Sequence, residues 1–196
     1  MSGGIIEAVA SLPKVCEHFN LPFQAGDDEV LQLMRRGYTN VDYRELVQRI
    51  RETVPGTSLS TDLIVGFPGE SEAAFQESLK MLEDVQFDKV HAAAYSERPG
   101  TIASRKLPDD VPYDEKKRRL SAIEQAQEAI AAEINGRLLD TTTEVLVEGH
   151  EKGKWKGRNR NDKLVFFEDK RLLQGKTVSV HIEKTSPWSL QGVAVG

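Results

Sequence analysis

Ser60-Thr61-Asp62-Leu63-Ile64-Val65-Gly66-Phe67-Pro68-Gly69-Glu70 is the stretch that decides the fold. Leu63, Ile64 and Val65 form a continuous apolar run, which suits a strand covered on both faces of a parallel sheet. The run breaks at the Gly66-Phe67-Pro68-Gly69 turn, and Ser71 then caps a helix with Phe75, Leu79 and Leu82 on one face. In such βα units ligands gather at the carboxyl ends of the strands, and Gly66 and Gly69 let the backbone approach a flat cofactor closely. The plainer reading is a βα turn without a ligand.

Outward from this unit the same rhythm continues. An extended piece at 19–23 leads to the Ala25-Gly26 turn, after which Asp27 caps a helix carrying Val30, Leu31 and Met34, ended by Gly37. Thr39 opens a helix with Leu46, Val47, Ile50 and Val54 at three- and four-residue spacing, stopped by Pro55-Gly56. Residues 89–95 are the next strand, 96–112 a loop, and 114–138 a long helix whose apolar seam is interrupted by Gln127. The pattern then changes to five short strands, at 142–148, 154–160, 163–168, 176–184 and 189–195, which predict a small closed or partly closed barrel. The fold class is therefore α/β, with βα units over 1–136 and an all-β domain over 137–196.

With 39% hydrophobic and 29% charged residues the chain reads as an ordinary soluble globular protein, and no apolar run approaches the roughly 18 residues of a membrane span. Met1-Ser2-Gly3-Gly4 lacks the features of an export signal and reads as an expression start or a cut end. The single cysteine, Cys16, excludes an internal disulfide framework and a cysteine-held metal cluster built by this chain alone. His18, His91, His150 and His181 lack ligand spacing, so no metal site is expected. The net charge of −5 divides unevenly: residues 136–196 carry 11 Lys/Arg against 8 Asp/Glu, and the remainder 15 against 23. Lys152, Lys154, Trp155, Lys156, Arg158 and Arg160 interleave basic side chains with an aromatic, a pattern that neutralises phosphates and stacks a base. A solvated face is the plainer alternative, and Phe166, Phe167 and Trp188 divide between stacking and core.

Four segments carry a resemblance. Leu21-Pro22-Phe23-Gln24-Ala25-Gly26, Met34-Arg35-Arg36-Gly37-Tyr38, Asp62 through Glu70, and Tyr95-Ser96-Glu97-Arg98-Pro99-Gly100-Thr101 resemble, in order and approximate spacing, the radical S-adenosylmethionine (SAM) methylthiotransferase family. The resemblance runs over nearly the whole chain and is closest to the branch that makes 2-methylthio-N6-isopentenyladenosine in tRNA. Arg98 matches that branch, whereas the branch modifying a ribosomal protein tends to carry an acidic residue there; Ala25 stands where the family usually has serine. The tail resembles a TRAM domain through Val145-Leu146-Val147-Glu148, Gly157-Arg158-Asn159-Arg160, Val165-Phe166-Phe167 and Trp188-Ser189-Leu190-Gln191-Gly192.

The resemblance implies a partial radical SAM (TIM-like) barrel of three βα units followed by an OB-like TRAM barrel. It implies a parent enzyme, cytoplasmic and with no membrane segment, that adds a methylthio group to C2 of N6-isopentenyladenosine near the anticodon. That enzyme uses SAM and two 4Fe–4S clusters, whose cysteines are absent from this chain and belong to missing amino-terminal domains. The chain is then expected to be an inactive portion of a longer protein with no catalytic residue of its own, binding tRNA and open to dimerisation through its exposed sheet edge. By the same resemblance Gln24, Asp62, Val65, Gly66, Phe67 and Glu70 are candidates to line the SAM pocket and Arg98 to meet the substrate. Lys154, Trp155, Lys156, Arg158 and Arg160 are the RNA candidates. Each has a plainer role open to it: Asp62 and Glu70 as caps, Phe67 as core, and Arg35-Arg36 as complements of a helix dipole. A stand-alone RNA-binding module and a methylthiotransferase for a ribosomal protein are the alternatives.

Overall fold

Three parallel strands, β1 (His18–Asn20), β2 (Ser58–Val65) and β3 (Lys89–Ala94), form a sheet in the order β1-β2-β3 in the computed structural model, which describes residues 3–195. Helix α1 (Gly3–Ser11) precedes the sheet, α2 (Asp28–Leu33) and α3 (Asn40–Thr53) connect β1 to β2, and α4 (Glu72–Val85) connects β2 to β3. Then come α5 (Ile102–Lys106) and the 24-residue α6 (Tyr113–Gly136). Strands β4 (Thr142–Glu151), β5 (Lys154–Asn159), β6 (Leu164–Glu168), β7 (Thr177–Thr185) and β8 (Leu190–Ala194) close a barrel in the order β4-β5-β6-β8-β7.

The caps form where side-chain oxygens can meet otherwise unpaired helix amides. Asp27 accepts from the Val30 amide at 3.0 Å, Thr39 forms a capping box with Asp42, and Ser71 accepts from the Ala74 amide at 3.1 Å. Three elements differ from expectation. Helix α2 ends at Leu33 rather than at Gly37, because Arg35 takes the left-handed conformation (φ 57°) and the Arg36 amide closes back on the Leu31 carbonyl at 2.8 Å. Helix α5, nucleated by Thr101 accepting from the Ser104 amide, stands inside the stretch expected as loop. Helix α1 was hidden by its two leading glycines, although Ile6 and Val9 are buried on one face of it.

The larger core lies between the sheet and its helices. Phe23 stacks on Phe87 at 5.7 Å, and the Tyr43 hydroxyl donates to the Leu21 carbonyl at 2.7 Å. Gln127 interrupts the seam of α6 to donate to the Phe87 carbonyl at 3.0 Å. The barrel has its own core, including Val145, Val165, Phe167, Val180 and Ile182. Gly157 is required there, since a Cβ would stand 2.1 Å from the Leu146 carbonyl oxygen.

The β5–β6 turn fastens the barrel beneath the amino ends of the sheet. Arg160 forms a bidentate pair with Glu17 at 2.7 and 2.8 Å and donates to the Pro13 and Val15 carbonyls. Asn161 donates to the Gly56 carbonyl at 2.9 Å and its own carbonyl accepts from Ser58 Oγ at 2.9 Å. Lys163 meets Asp88 at 2.5 Å.

Candidate functional site

Strand alternation sorts the residues at the carboxyl end of β2. Leu63 and Val65 are fully buried in the core, while Asp62 and Ile64 are half-buried on the opposite face, in register with the exposed His91 and Ala93 of β3. Gln24 joins this edge: with φ 70° its amide donates to the Asp62 carbonyl and its carbonyl accepts from the Ile64 amide. Of the six cofactor candidates, Gln24 and Asp62 therefore stand together at the strand ends. Val65 lies on the core side, because it is one residue out of phase with Ile64. Phe67 packs with Ala25, Val30 and Leu31 and meets Tyr95 edge-on at 5.1 Å.

Gly66 and Glu70 play parts that spacing did not reveal. At φ 70°, a Cβ on Gly66 would come within 2.4 Å of Lys116 Cγ, so the space expected for a flat cofactor is filled by a side chain of α6. Lys116 Nζ reaches both oxygens of Asp109 at 2.6 Å and lies 5.1 Å from the Tyr95 ring. The Glu70 carboxylate accepts from the Gly66 amide at 2.5 Å and from Arg119 at 2.7 Å, and Arg119 also donates to the Glu70 carbonyl at 2.8 Å. Burial pushes the Glu70 carboxyl above its usual range, against the Gly66 and Arg119 hydrogen bonds that favour its charge. The other Glu70 oxygen is buried without a hydrogen-bond partner among the described residues. Glu115 is held down to about 2 by Arg118 and then Arg119. Lys116 and Arg119 were missed by the sequence reading; the Lys116-Lys117-Arg118-Arg119 run opening the long helix was the available signal. Arg98 is exposed in the loop before α5.

On the barrel, alternation along β5 turns Lys154, Lys156 and Arg158 to the outer face. Each meets an acid: Glu168 at 3.6 Å, Glu151 at 2.8 Å and Asp162 at 3.1 Å. Two of the expected RNA residues have partners within the protein. Trp155 is 8% exposed, with its Nε1 donating to the Asp169 carbonyl at 3.0 Å, so its ring belongs to the barrel core and cannot stack a base. Arg160 is committed to Glu17 across the joint between barrel and sheet. Among the aromatics left open by the sequence, Phe167 is core, Phe166 half-buried on the outer face, and Trp188 57% exposed.

The joint and the corner lie at opposite ends of β2, whose 8 residues span about 25 Å at roughly 3.3 Å per residue. Among the described residues no group of three His, Cys, Asp or Glu could hold a metal ion, and no helix is long and apolar enough to cross a membrane.

Residues 2–82 match the model of the Radical SAM superfamily, and residues 137–195 match that of the TRAM domain. The chain is 54% identical over 195 residues to a tRNA-2-methylthio-N(6)-dimethylallyladenosine synthase of Dehalococcoides mccartyi (strain CBDB1), covering 100% of this chain and 47% of that protein. It is 50% identical over 199 residues to the protein of that name from Herpetosiphon aurantiacus, covering 100% of this chain and 45% of the relative. The corresponding Acetivibrio thermocellus protein is 46% identical over 198 residues, 100% of this chain and 41% of its own length. The chain thus spans about half the length of the curated relatives it matches. Its α/β units are similar over residues 2–82 to the Radical SAM superfamily, its closed five-stranded barrel is similar to the TRAM domain, and the chain is similar along its whole length to the carboxy-terminal part of the tRNA-2-methylthio-N(6)-dimethylallyladenosine synthases.

Proposed function

We propose that this chain is the carboxy-terminal half of a cytoplasmic methylthiotransferase that modifies C2 of N6-isopentenyladenosine beside the anticodon of tRNA. The observation that carries the reading is the fastening of the TRAM barrel to the radical SAM sheet through Arg160–Glu17, Asn161 and Lys163–Asp88. It holds an RNA-binding type of barrel at a fixed distance from open strand ends, as an enzyme that presents one nucleotide of a folded RNA to a cofactor requires.

The iron–sulfur clusters do not fit the residues present: Cys16 is exposed and alone, so both clusters belong to the remainder of the protein. SAM would lie at the carboxyl ends of the strands, where the Gln24 backbone is bonded beside the half-buried Asp62 and the two would orient it. When bound against a cluster it supplies the radical and methyl chemistry. The chain's own residues bind and position. Lys154, Lys156 and Arg158 hold RNA phosphates, Arg98 meets the substrate, and Lys116 and Arg119 lock the 66–70 turn behind the cofactor. The unpaired edge of β1 is open to pairing with further strands of a larger barrel or, in the isolated chain, with a second copy.

The test is mass spectrometry of tRNA nucleosides from a strain lacking the gene. Loss of the 2-methylthio nucleoside with build-up of N6-isopentenyladenosine is expected. Unchanged tRNA together with loss of a modified ribosomal-protein aspartate would transfer the activity to a protein substrate.

A further inference from the structure

We propose that the seam between the sheet and the barrel, beside Trp188, holds one unpaired nucleotide of the RNA with its base stacked on the indole. The inference rests on the tRNA-binding reading and assigns it a place.

Trp188 is 57% exposed, yet its turn is fixed. Asn135 Nδ2 donates to the Ser186 and Pro187 carbonyls at 2.8 and 3.0 Å, and Ser186 Oγ accepts from the Ser189 amide at 3.0 Å. A large aromatic in water on an anchored turn is a pre-ordered stacking platform. It walls two adjoining cavities. One, of about 550 Å³, runs along the free edge of β3 beside α6 and includes His91 and Gln127; the other, of about 170 Å³, includes Lys89, Asn135, Arg158 and Lys163.

The same seam collects unpaired polar atoms. Of the four buried side-chain atoms lacking a hydrogen bond among the described residues, three belong to its lining: Gln127 Oε1, Asn135 Oδ1 and Lys163 Nζ. Such atoms are rare in folded proteins and costly to leave unpaired. The amide orientations are set, since Asn135 Nδ2 serves two carbonyls and Gln127 Nε2 serves that of Phe87, which leaves both oxygens as acceptors. Lys163 meets Asp88 at 2.5 Å without hydrogen-bond geometry and keeps donor capacity. Two buried acceptors and the Asp88-paired ammonium behind an aromatic platform suit the edge of a nucleobase that enters the seam. Charge gives the polarity. Glu124 and Glu128 on the α6 side repel phosphate, whereas at the opposite mouth Asp88 and Asp162 are paired by Lys163 and Arg158 and the exposed Lys89 is left over, so the backbone lies by Lys89 and the base points toward α6. The smaller cavity lies at the barrel end of the sheet and the larger one runs up the β3 edge to His91, level with Asp62, so a nucleotide stacked at Trp188 is an anchor beside the modified adenosine and not that adenosine itself.

The 196-residue chain is titrated with an anticodon stem–loop RNA and with a fully paired duplex of equal length, as wild type and as Trp188→Ala, Trp188→Phe and Lys156→Glu. Trp188→Ala is expected to weaken stem–loop binding roughly 5- to 150-fold, Trp188→Phe by far less, and neither to change duplex binding. Stem–loop binding should quench a tryptophan emission that Trp188→Ala lacks. If Trp188→Ala binds the stem–loop like wild type, or loses both RNAs equally, the seam site is overturned. Should Lys156→Glu alone weaken binding, tRNA recognition stands and the exposed indole serves another contact, such as a protein. Absence of any RNA binding by the wild-type chain defeats both readings.

Discussion

Arg119 reaches Glu70 at 2.7 Å with side chains 5% and 0% exposed, joining the long helix α6 to the turn that ends the central strand. The pair lies behind the strand-end corner, and it explains how a glycine-rich turn is kept in one shape. The Glu70 carboxylate takes the Gly66 amide, Arg119 takes the Glu70 carbonyl, and α6 carries Lys116 across Gly66.

Arg119→Leu is therefore expected to cost about 3–5 kcal/mol, because it strands a buried carboxylate, whereas Glu70→Gln with Arg119→Leu should cost much less. Urea denaturation of the two variants measures this. A loss below about 1 kcal/mol for the single change would mean the pair holds nothing.

Gly66→Ala is expected to destabilise by about 2 kcal/mol or more, from the left-handed backbone and from the contact with Lys116 Cγ. Adding Lys116→Ala should recover the steric part and leave the conformational part. Strictly additive losses in a double-mutant cycle would show that the two residues do not compete for space.

These contacts mark the limit of what sequence could say. The strand read at 59–65, the caps Asp27, Thr39 and Ser71, and the five barrel strands were legible because period, turn residues and cap chemistry are local signals. The roles of Gly66, Glu70, Trp155 and Arg160 were not, since each is decided by a partner distant in the chain: Lys116, Arg119, the Asp169 carbonyl and Glu17. A lysine-tryptophan-lysine run on a strand reads as a basic aromatic patch, yet alternation sends the lysines out and the indole in.

His18 predicts a pH dependence. Its ring nitrogens meet Ser58 Oγ at 2.8 Å and Ser60 Oγ at 3.2 Å, and burial pushes its pKa below the usual histidine range, with Asp162 and Asp88 opposing. As pH falls through about 6.5 the unfolded chain takes up a proton that the folded chain resists. Stability is thus lost from there down to the folded-state pKa. Glu17 and Glu151, whose pKa values are lowered by Arg160 and Lys156, act only in a more acidic window. Urea midpoints at pH 7.5 and 5.5 should differ for wild type and converge for His18→Asn.

Arg160→Ala should loosen the barrel from the sheet, at about 1–2 kcal/mol for partly exposed bonds. Calorimetry is expected to resolve two transitions where wild type gives one. A single transition at unchanged temperature would place the coupling in Asn161 and Lys163 alone.

Charge reversal on the outer face of β5 tests the phosphate contacts. Lys154, Lys156 and Arg158 are each paired with a carboxylate, so RNA must displace those acids on binding, and the long, exposed Lys154–Glu168 pair is the least costly to exchange. Lys154→Glu should therefore weaken tRNA binding most and lower the slope of log affinity against log salt by about one. Arg158→Glu should do less, because Arg158 is already held between Glu148 and Asp162 and offers less of its charge to a phosphate. Trp155→Phe should leave affinity unchanged while lowering stability, as a buried indole that donates to the Asp169 carbonyl requires. Filter binding across a salt series separates these effects, and an unchanged slope in both charge reversals would move the phosphate contacts off this strand.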